Sequence, residues 1–361
     1  MPAVAAKYGD QSSTAAAEWY ERTRRKWFDE EYDAQAAAPF DDTAMRKSIR
    51  WKAGVLFGDD PEEFLPWANS ALDRWVKQSG RDTIHANARK DPRKPRYARV
   101  PQGPTCAFCI MLASRGFVYA SAESAGGDMN DYHADCDCEI IPNWDKKNPK
   151  IEGYDPEALY KRYTACRSTV EDLLTQDRYQ QTYLDPLAKE NDKATPLTFD
   201  QWITREILHE MDWRDRQWLY DGTQPAIEFA NEALRKETEE NRAQEIRTAE
   251  RARMHGIKPY FQVDYKEIEN PRTHVMERAG LADWRGGTEI KTLDTAKTAR
   301  TIDSYLGNTS KKADATRLIF DNTESLYLTD EQLVEFINRS HRFRRGAVYV
   351  ITKSGKLLRI K

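Results

Sequence analysis

Cys106-Ala-Phe-Cys109 and, further on, Tyr132-His133-Ala-Asp-Cys136-Asp-Cys138 place four of the chain's five cysteines within 33 residues. A thiolate pair on a tight turn reaches one cation, and a second pair with a histidine can close a tetrahedron around it. Five potential ligands then serve four positions: Cys106, Cys109, Cys136 and Cys138, or a set in which His133 replaces one cysteine. The expected cofactor is a structural Zn²⁺. Such an ion can supply on the order of 10–16 kcal/mol of apparent binding free energy, enough to hold a polar, loop-rich stretch in one shape. The plain alternative is a group of small buried thiols without metal. Cys166 stands alone on an expected helix and reads as an ordinary buried thiol. A catalytic Cys–His pair is disfavoured, because no third group is placed to orient it.

Outward from that cluster, 361 residues suffice for two or three domains with real cores. Charged residues make up 32% of the chain, yet ten Trp and seventeen Tyr supply large bodies to bury, which argues against wholesale disorder. No stretch approaches the roughly 20 apolar residues that span a bilayer, and the N-terminus carries no signal-peptide core. A soluble protein made in a reducing cytoplasm, with no membrane partner, is the expectation. In that compartment clustered cysteines bind metal more often than they form disulfides.

The net charge of −3 is unevenly spread: residues 257–361 carry 19 Lys/Arg against 14 Asp/Glu. Residues 339–361 hold eight basic residues and no acidic one. Arg339, Arg342, Arg344, Arg345, Lys353 and Lys356 are therefore candidate contacts for a phosphate-rich partner, RNA or DNA. A solvated basic edge is the alternative.

Hydrophobic spacing predicts helices over Ala15–Tyr32, Asp42–Leu56 and Asp60–Val76. Ser79–Tyr97 is polar and basic with two prolines, and reads as an exposed arm or linker. Asp155 caps a helix running to about Leu174, and Thr198 or Asp200 caps the next. Residues 225–255 read as one long, mostly solvated helix closed by Gly256. Beyond it, Thr288–Leu293 and Thr316–Phe320 read as strands and Asp294–Leu306 as a helix. Thr329 caps a helix to about Arg339, and Val348–Ile351 with Leu357–Ile360 form a hairpin. The expected fold is multidomain. A mainly α region with the Cys/His zinc-like loop (1–170) is followed by a helical connector (171–256) and a small α/β or α+β domain (257–361).

The stretch from Cys106 to Tyr119, together with Tyr132–Pro142, resembles the C-x2-C…H-x2-C-x-C signature of MuF-type phage minor head proteins, in the form found in phages of actinobacteria. Gly153-Tyr154-Asp155-Pro156 and the helix after it also resemble that group, so the likeness covers about residues 40–170. It implies a protein of the capsid interior, packaged near the portal, with portal and capsid proteins as partners. Its locations would be the virion, and the host cytoplasm during assembly or after delivery. Such proteins carry a longer helical region before residue 40, so the start reads as shortened. They often end in effector or toxin domains, and residues 257–361 read as one.

Within that domain Asp283 and Glu289 bracket a Gly-Gly turn, and Lys291 follows two residues after Glu289. On a strand, residues two apart share a face, so Glu289 and Lys291 point together, and a tight hairpin would bring Asp283 across to them. Two carboxylates can hold Mg²⁺ or another divalent cation while the lysine orients or deprotonates the attacking water. Glu277, placed on a preceding helix, is a further acidic ligand.

This segment resembles the PD-(D/E)xK nuclease-like and C-terminal tRNase toxin domains of contact-dependent inhibition systems, which implies an immunity protein as partner. The five residues between Asp283 and Glu289 are fewer than that motif usually has. A rival within the class is a metal-independent ribonuclease of the barnase, EndoU, colicin and RelE-like group. It would use His274, His341 and arginines such as Arg300, Arg342 or Arg345. A purely structural head protein, whose basic tail binds packaged DNA, is the reading from another class.

Overall fold

The computed structural model describes residues 1–38, 42–119, 138–145, 150–189, 195–269, 274 and 276–361. The chain divides into two compact units, Met1–Tyr160 and Lys161–Lys361. Helices dominate the first; the second combines helices with a four-stranded sheet. The architecture is therefore mixed α and β. Among the described residues no helix is long and apolar enough to cross a membrane.

In the first unit α1 (Pro2–Arg25), α2 (Asp42–Ala53) and α3 (Phe64–Lys90) precede a two-stranded antiparallel ribbon. The ribbon pairs β1 (Arg96–Val100) with β2 (Glu139–Asn143), and α4 (Ala107–Ala113) lies between them in sequence. Helix α1 buries a stripe of small residues, Ala5, Gly9, Ser13, Ala16 and Ala17, followed by Tyr20. That stripe meets α3 at Ser79–Ala88. The approach is so close at Gly80 that a Cβ there would stand 2.6 Å from Ser12 Oγ.

The expected exposed arm at Ser79–Tyr97 is thus corrected: its first half is the inner face of a long helix, and its end is strand β1. Its charges misled because Ser79, Gly80, Thr83, Asn87 and Ala88, spaced by three and four residues, make a packing stripe with little hydrophobicity. Helix α1 also ends before Trp27, earlier than expected. Tyr20, Phe28 and Tyr32 nonetheless converge around Trp144.

At this end of α1 and α3 sits the fully buried carboxylate of Asp91. Its Oδ2 accepts from Tyr20 Oη (2.9 Å), Arg24 Nε (3.0 Å) and Trp144 Nε1 (3.1 Å), and its Oδ1 accepts from Arg93 N (2.8 Å). Four donors, two from α1, one from Trp144 and one from the adjoining backbone, satisfy one charge.

Helix α5 (Pro156–Val170) is followed by α6 (Phe199–Asp212) and α7 (Arg216–Asp221). Asp155 Oδ1 accepts from Ala158 N at the start of α5, and Thr198 closes a capping box with Gln201 on α6. The single solvated helix expected over 225–255 is replaced by β3 (Glu228–Phe229), α8 (Glu232–Asn241) and α9 (Ala243–Met254). Arg242 adopts φ −129°, ψ 42° between the two helices, and Ala249 and Ala252 of α9 are fully buried. Abundant Glu–Arg pairs conceal this face, because small alanines supply the contact.

The sheet has the order β10 (Leu357–Arg359), β9 (Ala347–Ile351), β8 (Arg317–Asp321), β7 (Thr288–Thr292). Strands β7, β8 and β9 are parallel, and β10 closes antiparallel on β9. Alternation along the strands separates two cores. Leu318, Phe320, Val348 and Val350 pack with α10 (Ala299–Thr309) and α11 (Asp330–Arg339). Ile290, Ile319, Tyr349 and Ile351 pack with α9 on the other face. Helix α10 starts at Ala299, later than Asp294, because Thr298 caps it by accepting from Thr301 N. Strand β4 (Tyr260–Phe261) pairs with β3, and bridges from Phe261 to Trp284 and from Trp284 to Thr288 carry the pairing to the edge of β7. A separate antiparallel ribbon joins β5 (Tyr265–Glu269) to β6 (Met276–Gly280).

Candidate functional site

The thiol cluster forms around the start of α4. Cys106 is the N-cap, and its Sγ accepts from Cys109 N at 3.5 Å. Cys109 and Cys138 are fully buried and packed together, with Cys106 and Ile140 against them. Thr105 Oγ1 lies 3.7 Å from Cys138 Sγ, and Arg81 Nη2 donates to the Cys138 carbonyl at 2.9 Å. Cys166 is a free thiol. Among the described residues no three His, Cys, Asp or Glu groups form a ready-made metal cluster. His133 and Cys136 lie outside the described residues. Cys166 is fully enclosed, and burial pushes its thiol up to about 11.

The second site lies on the edge strand of the sheet. The chain turns sharply between Trp284 and Thr288, with Gly286 and Gly287 at φ +85° and +79°. Trp284 N donates to Thr288 O at 2.9 Å across this turn, and Asp283 Oδ2 accepts from Ile290 N at 2.9 Å. A Cβ on Gly287 would fall 2.0 Å from the Asp314 carbonyl, so only glycine fits there. Asp314 also fixes the arm that carries Asp283. Its Oδ1 accepts from Ala282 N (2.7 Å) and its Oδ2 from Gln262 Nε2 (2.8 Å), a nitrogen that also donates to Ala282 O.

Asp283, Glu289 and Lys291 are thereby brought together. Lys291 Nζ donates to Glu289 Oε1 at 2.7 Å and lies 3.9 Å from Asp283 Oδ2. Lys312, in the turn after α10, stands 2.8 Å from Glu289 Oε2 and 3.7 Å from Asp283 Oδ1. Glu289 is 1% exposed and each of its oxygens faces one ammonium. Glu245 of α9 feels the charge of Asp283 without joining a three-acid cluster: its Oε2 is sealed from solvent without a hydrogen bond, and Arg242 Nη1 is 4.0 Å away.

The electrostatics follow from this crowding. Burial raises the pKa of Asp283, the neighbouring Glu289 adds to the rise, and Lys291 and Lys312 oppose it. Glu245 is pushed up to about 7, first by burial and then by the charge of Asp283. Burial works against the charge of Lys291, but Asp283 and Glu289 outweigh it and its pKa stands above the ordinary lysine value.

Other expected residues are placed elsewhere. Glu277 stands exposed on strand β6, not on a helix: the run before the turn alternates as a ribbon and has no buried helical stripe. His341 is exposed in the loop after α11, and among the described residues no hydrogen bond or ion pair joins it to Asp283 or Glu289. His274 is exposed at φ 53° and paired with Glu269 (2.7 Å). Of the basic stretch, Arg339 pairs with Glu335 and Arg342 with Asp303, Arg344 Nε donates to His341 O, and Lys353 Nζ to Ser325 O. Arg345 and Lys356 have exposed side chains. Glu245 and Lys312 were missed by sequence reasoning. Each lies among other charged residues of its type, and only the fold distinguishes them.

Comparison with known proteins bears mainly on the first unit. Residues 1–166 match a family model described as VG15 protein. The Gene 15 protein of Mycobacterium phage D29 is 31% identical over 29% of this chain and 53% of its own. The Gene 15 protein of Mycobacterium phage L5 is also 31% identical, over 29% of this chain and 52% of its own. The chain thus spans about half the length of these curated relatives. No solved structure matches. On these matches the chain is a phage protein.

Proposed function

We propose that the chain is a virion-associated minor head protein of MuF type, whose second unit cleaves phosphodiester bonds in nucleic acid. Support for the first half comes from the matches to phage proteins over residues 1–166 and from the meeting of Cys106, Cys109 and Cys138. Their soft sulfur donors suit Zn²⁺, with Cys136 or His133 supplying the remaining position. Portal and capsid proteins in the virion are the partners this reading implies, and an immunity protein would restrain the nuclease.

The observation that carries the nuclease half is the convergence of Asp283, Glu289 and Lys291 on the edge of β7. Asp283 and Glu289 offer oxygen donors only, so a hard divalent cation such as Mg²⁺ fits their chemistry, and they would hold it in the place the two ammonium groups now fill. When bound, the cation supplies charge to the phosphate oxygens and a water of lowered pKa.

The chain's own residues do the rest. Lys291, with a pKa held above the ordinary value by two carboxylates, carries a positive charge and so orients the nucleophile and stabilises the charge growing on the phosphate. It can serve as a base only once those carboxylates are neutralised. Lys312 is placed to exchange Glu289 for a phosphate oxygen. Gln262 and Asp314 hold the Asp283 arm still.

The test is cleavage of labelled RNA and DNA by the full chain, with Mg²⁺ and with EDTA. Cleavage that stops with EDTA and falls at least ~10³-fold in Glu289→Ala and Lys291→Ala is expected. That fall corresponds to about 4 kcal/mol of barrier. No cleavage by the parent chain with any divalent cation would end the nuclease reading. Cleavage that survives EDTA and both substitutions would point instead to His341 and its neighbouring arginines.

A further inference from the structure

A groove of about 340 Å³ lies beside the Asp283–Glu289 turn, lined by Trp213, Tyr260, Arg285, Gly286, Thr288 and Arg317, with Glu228 and Lys258 at its rim. Two arginines lie over aromatic rings there. The Arg285 guanidinium is 4.4 Å from the Tyr260 ring centre, and that of Arg317 is 5.1 Å from the Trp213 ring centre. Among the described residues neither is paired with a carboxylate. The one acid at the rim, Glu228, is neutralised by Lys258 at 2.7 Å, so the lining keeps two uncompensated positive charges. A guanidinium lying flat on a ring keeps its edge N–H groups free, and that edge matches a phosphate in a bidentate fork. Arg285 is exposed, so its outer face offers a platform for a base.

We infer that this groove holds a nucleotide of a single-stranded nucleic acid next to the bond to be cut, its phosphate between Arg285 and Arg317 and its base stacked on Arg285. The inference rests on the nuclease reading for its purpose, but not for its geometry. Arg285 is two residues from Asp283, and Thr288 is the neighbour of Glu289, so groove and carboxylates share one turn. Successive strand residues face opposite sides, so Thr288 and Glu289 present the groove and the carboxylates on opposite sides of β7. A ligand that touches both must bend around the Gly286–Gly287 edge. A flexible single strand can do this at little cost, whereas a duplex, stiff over about 50 nm, must be sharply bent. The volume suits one nucleotide and falls in the usual range of small-ligand sites, roughly 300–1,000 Å³.

The test measures binding of fluorescein-labelled 12-residue single strands, RNA and DNA, and of the matching duplexes, to the full chain in EDTA. The double variant Arg285→Ala/Arg317→Ala is expected to bind the single strand at least tenfold more weakly. Its slope of log affinity against log salt should fall by about 0.7, the value for one phosphate no longer neutralised on a single strand. Arg285→Lys/Arg317→Lys keeps the charge and the fold but loses the fork, and should recover less than half of that loss.

Lys236→Ala/Lys266→Ala removes the same charge from exposed positions on α8 and β5, and should change binding less than twofold. The inference is overturned if the double alanine variant binds no worse than this control, or if duplex binds as tightly as single strand. Glu289→Gln separates the two proposals. If it binds normally and no longer cleaves, both stand. If it cleaves like the parent chain, the assignment of cleavage to the Asp283–Glu289 site fails while the groove stands on its binding data. If it loses cleavage but the arginine variants bind normally, the groove alone fails.

Discussion

Asp91 in the first unit and Glu289 in the second are both buried carboxylates, yet they are built in opposite ways. Asp91 is fully enclosed and accepts from Tyr20, Arg24, Trp144 and the backbone of Arg93. The donors come from α1, from Trp144 after β2 and from the turn that holds Asp91 itself, so the charge pins these segments together. Glu289 is as deeply buried but meets two lysines that are themselves about a quarter exposed, with the acid Asp283 beside it. Such ammonium groups can turn away to water. A buried charge whose donors are fixed is a structural device; one whose partners can leave is poised to receive something else.

That contrast is open to test, and the largest effect falls on the structural carboxylate. Asp91→Ala takes from the buried Arg24 guanidinium its buried partner and leaves it only the half-exposed Glu30, so it should cost the first unit about 3 kcal/mol in chemical denaturation. Glu289→Gln keeps the shape and frees two lysines that water can reach, so it should cost about 1 kcal/mol or less. Equal losses in the two variants would erase the distinction.

A smaller effect is expected at Gly287, where the backbone and not a charge sets the geometry. Gly287→Ala must place a Cβ against the Asp314 carbonyl at positive φ. It should lower stability by about 2 kcal/mol, and cleavage by about 10²-fold as Asp283 and Glu289 are moved apart. Unchanged cleavage would show that the turn does not position the carboxylates.

The mildest effect is a pH dependence. Glu245 titrates at about 7 in the folded chain, above its ordinary value of 4.5, so the folded chain holds a proton that the unfolded chain releases. Stability should therefore fall as pH rises from about 4.5 to about 7, by on the order of 2 kcal/mol once its partial exposure is allowed for. Affinity for Mg²⁺ should rise over the same interval, because a cation binds the ionised form. Calorimetric unfolding of Glu245→Gln should lose that slope, and an unaltered slope would place the titration elsewhere.

Much of the second unit was legible in the chain. The strands at Thr288 and Thr316, the Thr329 cap and the final hairpin carry strong local signals, and E-x-K on a strand puts its two side chains on one face. The first unit was read less well where packing relies on small residues. Ser79, Gly80, Thr83 and Ala88 form an interface that a hydrophobicity pattern does not register, and α9 conceals Ala249 and Ala252 among charged neighbours in the same way.

Periodicity, caps and turn residues are local properties, and from them the sequence alone determined the element types at the C-terminal end and the pairing of Glu289 with Lys291. The partners of those residues depend on contacts made across long stretches of chain. Tertiary structure alone decided that Lys312, from a turn 23 residues after Glu289, would meet the Asp283–Glu289 pair, and that the charge of Asp283 would act on Glu245, 38 residues before it. It also decided that Arg285 and Arg317, unremarkable in the sequence, would lie over Tyr260 and Trp213 in one groove. Burial makes those encounters consequential, because it removes the water that would otherwise have screened each charge from the next.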